Sequence, residues 1–194
     1  MNAAGYGSFG AIENVSDEEA QRQFSVNVFG LVVLTKLVLP YMKQQHHGKI
    51  INISSMAGRF SSPMGGWYFA SKHALEIISD SLQMEVKRFG IEVVLLEPWV
   101  VRSAWEKIAM KNLQSASQGT DYEKRATTLK QHLDKIYASK FASQSELIAK
   151  TIQKIIVRKH PKSRYLIGFM AKSTVFLYAC LPTWLWDKLI PHFM

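Results

Sequence analysis

Tyr68 and Lys72, within Gly65-Gly66-Trp67-Tyr68-Phe69-Ala70-Ser71-Lys72-His73-Ala74-Leu75, are the pair in this chain that most directly suggests chemistry. In a helix they sit one turn apart on the same face. A phenol beside a fixed ammonium is a proton-transfer device, because the cation favours phenolate and lowers the tyrosine pKa from its reference of about 10. Tyr and Lys also fall four apart by chance in many helices. The pair therefore gains meaning only from the elements that position it.

Lys49-Ile50-Ile51-Asn52-Ile53-Ser54 is a short, mostly apolar run suited to a central parallel strand. It opens into Ser54-Ser55-Met56-Ala57-Gly58, and a loop with Ser61, Ser62, Pro63, Gly65 and Gly66 leads to the Tyr68 helix. That helix carries Ala70, Ala74, Leu75, Ile78, Leu82, Val86 and Phe89, and Gly90 stops it. Ile91-Glu92-Val93-Val94-Leu95-Leu96 is the next strand, ended by Glu97-Pro98 because proline cannot continue a ladder. Upstream, Asn2 to Gly10 is a turn-rich loop, and Ser16-Asp17-Glu18-Glu19 is a capping box opening a helix to about Gln44. Phe24, Val28, Leu31, Thr35 and Leu39 recur there near helical spacing. Asn27 lies inside this apolar stretch. A buried amide is costly unless bonded, so Asn27 is either a packing compromise or a positioned group. Helix, strand, helix, strand in this order predicts an α/β fold, a parallel sheet with helices on both faces.

Downstream, Val101 to about Gln114 is a weak amphipathic stretch and Gln114–Gly119 a polar, mobile loop. A helix from about Asp121 to Tyr137 is placed to act as a lid. Ser145-Glu146-Leu147 opens a further helix, ended by Pro161, and Arg164-Tyr165-Leu166-Ile167-Gly168 is a short strand. Residues 169–194 form an apolar, aromatic tail broken by Lys172 and Pro182. No run in it reaches the roughly 18 apolar residues of a membrane span. The tail either packs over the cleft or an oligomer interface, or rests at a membrane surface with help from Lys172 and Lys188.

A chain of 194 residues with 47% hydrophobic and 20% charged residues suits one globular domain and excludes a disordered one. The net charge of +9 is compatible with nucleic acid or an anionic surface, but the basic residues are dispersed and no recognition motif is present. The single cysteine, Cys180, excludes an intrachain disulfide framework and a multi-cysteine metal site. It favours a reducing, cytoplasmic setting, with membrane association resting on the tail. Met1-Asn2-Ala3-Ala4-Gly5 has neither the basic leader nor the apolar run of a secretion signal.

In a parallel α/β sheet, ligands bind beyond the carboxyl ends of the strands. Ser55, Tyr68 with Lys72, and the segment from Pro98 to Ser103 all fall at such places. Thirteen residues separate Ser55 from Tyr68, enough loop for both hydroxyl groups to converge on one carbonyl or alcohol oxygen. Tyr68 would move its proton and Ser55 would orient and polarise it. A hydride carrier must come from outside the side chains.

Four motifs agree in order and spacing: Asn27-Val28-Phe29-Gly30, Ile51-Asn52-Ile53-Ser54-Ser55-Met56-Ala57-Gly58, Tyr68-x-x-x-Lys72 and Glu97-Pro98-Trp99-Val100-Val101-Arg102-Ser103. In these the chain resembles the carboxyl-terminal two-thirds or so of a classical short-chain dehydrogenase/reductase, with a weaker likeness to retinol- and steroid-dehydrogenase-like members. The resemblance implies a three-layer Rossmann-like parallel sheet over residues 1–168, truncated at its amino terminus, followed by the helical tail 169–194. It implies NAD or NADP as cofactor, a small-molecule alcohol or carbonyl substrate and a homo-oligomer; the aromatic and aliphatic tail beside the cleft points to a lipophilic substrate, and no metal and no nucleic acid are expected.

Residue by residue, the resemblance makes Tyr68 the acid-base group and Lys72 the ribose-binding residue that lowers its pKa. Ser55 becomes the substrate-orienting hydroxyl, and Asn27 the residue whose backbone holds a water in a proton relay. Val101 would meet the nicotinamide through its backbone, and Ser103 stands for the usual threonine near the pyrophosphate. Asn2, Ala4 and Gly5 match the Asn-Asn-Ala-Gly segment near the adenosine. Ala3 departs from the second asparagine of that segment, and Trp99 from the usual glycine after Pro98. The Gly-rich dinucleotide turn, Thr-Gly-x-x-x-Gly-x-Gly, has no counterpart in the sequence. An inactive, truncated remnant serving as an interaction subunit is therefore the alternative to an oxidoreductase.

Overall fold

The structure, a computed structural model, describes residues 1–193, with side chains through Ile190; the side chain of Phe193, part of the apolar tail set, lies outside the described part. Three parallel strands, β1 (Gly48–Ile53), β2 (Ile91–Pro98) and β3 (Arg164–Ile167), stand in the order β1-β2-β3. Gly48 pairs with Ile91 at one end of the register and Ile53 with Leu96 at the other, while Leu95 to Pro98 pair with Arg164 to Ile167. Parallel neighbours require long crossovers. α3 (Gly66–Val86) makes the first, and α4 (Trp105–Ser117), α5 (Glu123–Ala138) and α6 (Ser145–Val157) make the second.

Strand alternation sorts the core into two faces. Ile50, Ile91 and Val93 pack with Leu39, Met42, Leu82 and Val86 from α2 (Leu31–Gln45) and α3. Ile51, Val94, Leu96 and Ile167 face the other way, onto Ile148, Ile152 and Ile155 of α6. These are the three layers expected of a Rossmann-like sheet. At the turn into β2, Gly90 has φ +70, and a Cβ there would lie 2.3 Å from the His46 carbonyl oxygen, so only glycine fits.

The first long helix starts where the capping box puts it: the Ser16 hydroxyl accepts from the Glu19 N–H at 3.2 Å ahead of α1 (Asp17–Phe24). It runs on to Gln45, and Pro40 does not end it. Between α1 and α2, however, Ser25–Gly30 is π-helical, which periodicity alone does not reveal. Asn27 sits in that segment. The expected loop at Gln114–Gly119 begins later than the sequence suggests. Leu113 and Ser117 are both buried, and their packing carries α4 through Ser117.

The largest apolar cluster lies beyond the carboxyl ends of the strands. Phe9, Met56, Phe60 and Phe69 meet Met110 and Leu113 of α4, Leu129 and Leu133 of α5, and Trp186 and Ile190 of the tail. The tail folds as α7 (Ala171–Cys180) and α8 (Thr183–Phe193), and Trp186 is only 2% exposed. The Asp17–Gln45 helix is long and apolar enough to cross a membrane by length and composition. Its Val28, Leu31 and Thr35 are buried in the domain.

Candidate active site

α3 carries Tyr68 and Lys72 on one face at its first turns, both nearly buried, at 7% and 5% exposure. Phe9 at 5.5 Å and Trp105 at 5.2 Å, centroid to centroid, hold the Tyr68 ring. The Tyr68 phenol and the Ser55 hydroxyl line the same cavity. Burial pushes the phenol up to about 12, and the Ser55 contact pulls it only partly back. The Lys72 ammonium donates to the Ile53 carbonyl oxygen at 3.0 Å and lies 6.0 Å from the Tyr68 ring centre. Burial brings Lys72 down to about 8, with the Glu76 charge acting against it. Desolvation dominates at Tyr68, and the phenol here is a neutral proton donor.

Ser55 leaves the end of β1 and sits at the N-cap of a 3₁₀ turn, Met56–Gly58, where its hydroxyl oxygen accepts from the Ala57 N–H at 3.1 Å. The same hydroxyl faces the Pro98 carbonyl oxygen at 3.5 Å. Asn27 has every polar atom engaged. Its Nδ2 donates to the Tyr6 carbonyl oxygen and to the Ser71 hydroxyl, and its Oδ1 accepts from the Tyr6 N–H, all at 3.0 Å. Asn27 therefore ties the loop at Tyr6 to the Tyr68 helix. A packing compromise would not satisfy both atoms with three hydrogen bonds.

That tie brings Gly5 close to the lysine. A Cβ on Gly5 would stand 3.2 Å from Asn27 Oδ1 and 3.6 Å from Lys72 Nζ. Val101 forms a bridge with Ser143 that uses the Val100 carbonyl and the Arg102 N–H, leaving the amide and carbonyl of Val101 itself unpaired. The Ser103 hydroxyl oxygen accepts from the Trp105 N–H at 3.3 Å. Asn2 braces the sheet instead: it bridges to Asn52 in the backbone, and its Nδ2 donates to Asn52 Oδ1 at 2.9 Å. Ala4 is exposed and does not line the cavity, whereas Ala3 does.

Ser55, Tyr68, Lys72, Val101, Ser103 and Gly5 share one cavity of about 410 Å³. Phe9, Phe60, Trp99, Trp105, Leu133 and Tyr137 finish its wall. Sequence reasoning did not reach Trp105 or Tyr137. Tyr137 ends the helix placed as a lid, and Trp105 opens α4 in the stretch read as weakly amphipathic. Burial raises the Tyr137 phenol, and the charges of Glu106 and Tyr68 add to it. Trp99 joins the wall, and a Cβ on Gly168 would come within 3.0 Å of the Trp99 Cβ. The free backbone of Val101, the open approach at Gly5 and the lysine beside it fit the nicotinamide-ribose end of a dinucleotide. Among the described residues no cluster of His, Cys, Asp or Glu could hold a metal ion.

Comparisons with known proteins identify the family. Residues 1–114 match the family model described as short chain dehydrogenase. The chain is 39% identical over 189 residues to the probable short-chain type dehydrogenase/reductase VdlC of Helicobacter pylori, covering 97% of this chain and 68% of that protein. It is 35% identical over 197 residues to an NADPH-dependent 3-dehydrocapnine reductase of Ornithobacterium rhinotracheale, covering 97% and 67%. A short chain dehydrogenase/reductase from Burkholderia phymatum, solved in complex with NAD, superposes with a TM-score of 0.72 at 26% identity, covering 91% of this chain and 63% of that one. The chain thus spans about two thirds of the length of these proteins. With its Asn27, Ser55, Tyr68 and Lys72 on a parallel three-layer fold, the chain belongs to the short chain dehydrogenase family.

Proposed function

We propose that this chain is the catalytic part of an NAD(P)-dependent oxidoreductase that interconverts a lipophilic alcohol and its ketone, with Tyr68 as the acid-base group. The observation that carries this reading is the convergence of Tyr68 and Ser55 with Lys72 and Val101 on one cavity. A carbonyl oxygen between the two hydroxyl groups accepts a hydrogen bond from each, which polarises its carbon. Tyr68 delivers its proton to that oxygen as reduction proceeds, and takes one back in the reverse direction. The nicotinamide cofactor, when bound, supplies or removes the hydride. Lys72, Gly5, Val101 and Ser103 would hold its nicotinamide and ribose. The charged Lys72 stabilises the phenolate left on Tyr68.

Phe60, Trp99, Trp105 and Leu133 around the reacting pair support a lipophilic substrate. The relative named as an NADPH-dependent reductase and the NAD complex of the Burkholderia protein support either cofactor. Titrating the purified chain with NADH and with NADPH tests the reading, with fluorescence as the readout. Binding is expected below about 1 mM. No binding up to that level leaves the second reading, an interaction subunit without catalysis of its own.

Two surfaces support partners. Phe29, Val33, Leu37 and Tyr41 on the first long helix and Met84 on α3 are exposed, an apolar face suited to a second copy of the chain. Leu37→Glu is then expected to lower the mass seen in light scattering, and a monomeric unsubstituted chain rejects the oligomer. On the tail, Phe176 and Trp184 point outward near Lys172 and Lys188, a surface suited to peripheral membrane contact. Cosedimentation with anionic vesicles is expected to be lost in a Phe176→Ala, Trp184→Ala chain; unchanged cosedimentation sinks that use of the tail.

A further inference from the structure

Of the hydroxyl-bearing side chains along the cavity, Ser55, Tyr68 and Ser103 have places in the chemistry above. The Ser54 hydroxyl is sealed from solvent. Tyr137 is left over. It stands at the penultimate position of α5, is 8% exposed, and belongs to the apolar cluster that also holds Tyr68, Leu133 and Trp186. Among the described residues nothing hydrogen-bonds its phenol, and that oxygen is not sealed into the core as the unpaired Tyr6 and Ser117 hydroxyl groups are. A phenol in a wall this apolar is a donor that needs an acceptor, supplied by water or by a ligand.

The backbone that carries Tyr137 is clamped. Arg102 Nε donates to the Tyr137 carbonyl oxygen at 3.0 Å, and Arg102 Nη2 donates to the carbonyl oxygens of Ala138 and Ser139 at 3.4 and 2.7 Å. A guanidinium across the last carbonyl groups of a helix satisfies acceptors that lack intrahelical partners and suits the negative helix end. Arg102 stands between Val101 and Ser103, which both line the cavity, and its own N–H donates to the Ser143 carbonyl oxygen at 3.0 Å. The segment that would meet the nicotinamide and the helix end that bears Tyr137 are thus tied together, which preorganises the phenol at the cavity wall. We propose that Tyr137 is a substrate-recognition residue whose phenol donates a hydrogen bond to a second, uncharged oxygen on the carbonyl substrate, so that the substrate class is a lipophilic hydroxyketone rather than a simple ketone.

The surroundings fix the direction of that bond and the charge of its acceptor. Burial raises the Tyr137 phenol, with the charges of Glu106 and Tyr68 adding to it, so the phenol stays protonated and donates. The Glu106 charge that reaches this phenol also opposes a carboxylate at the same place, which leaves a neutral oxygen. The inference rests on the proposed function for which oxygen reacts. Its readout needs no turnover, because Trp99 and Trp105 line the same cavity and report binding through their fluorescence.

The test is a fluorescence titration of the full chain with straight-chain methyl ketones that carry a hydroxyl group at successive positions, against the same ketone without one. One hydroxyketone is expected to bind about tenfold tighter than the plain ketone. In Tyr137→Phe that preference is expected to vanish, while the plain ketone binds the variant and the unsubstituted chain alike. The substitution removes one oxygen and keeps the ring in its cluster, so the fold is retained. A preference that survives Tyr137→Phe overturns the proposal, as does a series in which no hydroxyketone is preferred. Tighter binding of a keto acid than of every hydroxyketone overturns the uncharged acceptor. If Tyr68→Phe retains turnover, the dehydrogenase reading falls while the hydroxyl preference at Tyr137 still stands on its own measurement.

Discussion

Tyr68→Phe is expected to lower kcat for carbonyl reduction by about 10³-fold, with cofactor affinity unchanged, in whichever form of the protein carries turnover. The substitution removes one oxygen and keeps the ring. Its contacts with Phe9, Phe69 and Trp105 therefore persist, and the fold is not at stake. What disappears is the proton donor. Ser55 still offers a hydrogen bond, but its hydroxyl is a much weaker acid than a phenol and already touches the Ala57 N–H. The pH profile of the unsubstituted protein separates the roles. With burial pushing it to about 12, Tyr68 stays protonated across the working range. Lys72, lowered to about 8, is charged below that pH and neutral above it. Reduction is thus expected to hold up to about pH 8 and to decline beyond, as the ammonium that stabilises the departing phenolate is lost. Turnover of Tyr68→Phe within about tenfold of the unsubstituted protein would remove Tyr68 from this role.

What was legible in the sequence follows from range. Tyr68 and Lys72 are four apart on one helix, and Ser55 leaves the end of a strand, so local periodicity places all three. Asn27 was visible as an amide in apolar company, but its bonds to Tyr6 and Ser71 join segments 21 and 44 residues away. No spacing rule reaches that far. The π-helical turn around it escapes for a related reason, since one inserted residue per turn barely shifts an apolar stripe. The meeting of Glu76 on α3 with Glu97 on β2 and Arg164 on β3 was not legible, since it comes only through the order of the strands. The cavity wall was least legible. Trp105 and Tyr137 belong to crossover helices whose docking is set by tertiary packing, with no pattern in their own segments to announce it.

Trp186→Ala is expected to destabilise the fold by about 3–5 kcal/mol, measured by urea unfolding. The tail reads as apolar from end to end, and two of its tryptophans look alike in sequence. Their surroundings differ completely. Trp186 is 2% exposed, with Phe60 at 5.3 Å and Tyr178 at 5.0 Å, and its indole N–H donates to the Ser61 carbonyl oxygen at 3.2 Å. Removing it opens a cavity among rings that cannot collapse into the space, and takes a donor from that carbonyl. Trp184 is 61% exposed, with the Lys188 ammonium 5.4 Å from its ring. Trp184→Ala is expected to change stability by less than about 0.5 kcal/mol. Because Phe60 lies both under Trp186 and in the cavity wall, the Trp186 variant is also expected to raise KM for the lipophilic substrate more than it lowers kcat. Equal unfolding midpoints for the two variants would mean that α8 does not seal the core, and that Phe60 has its place without it.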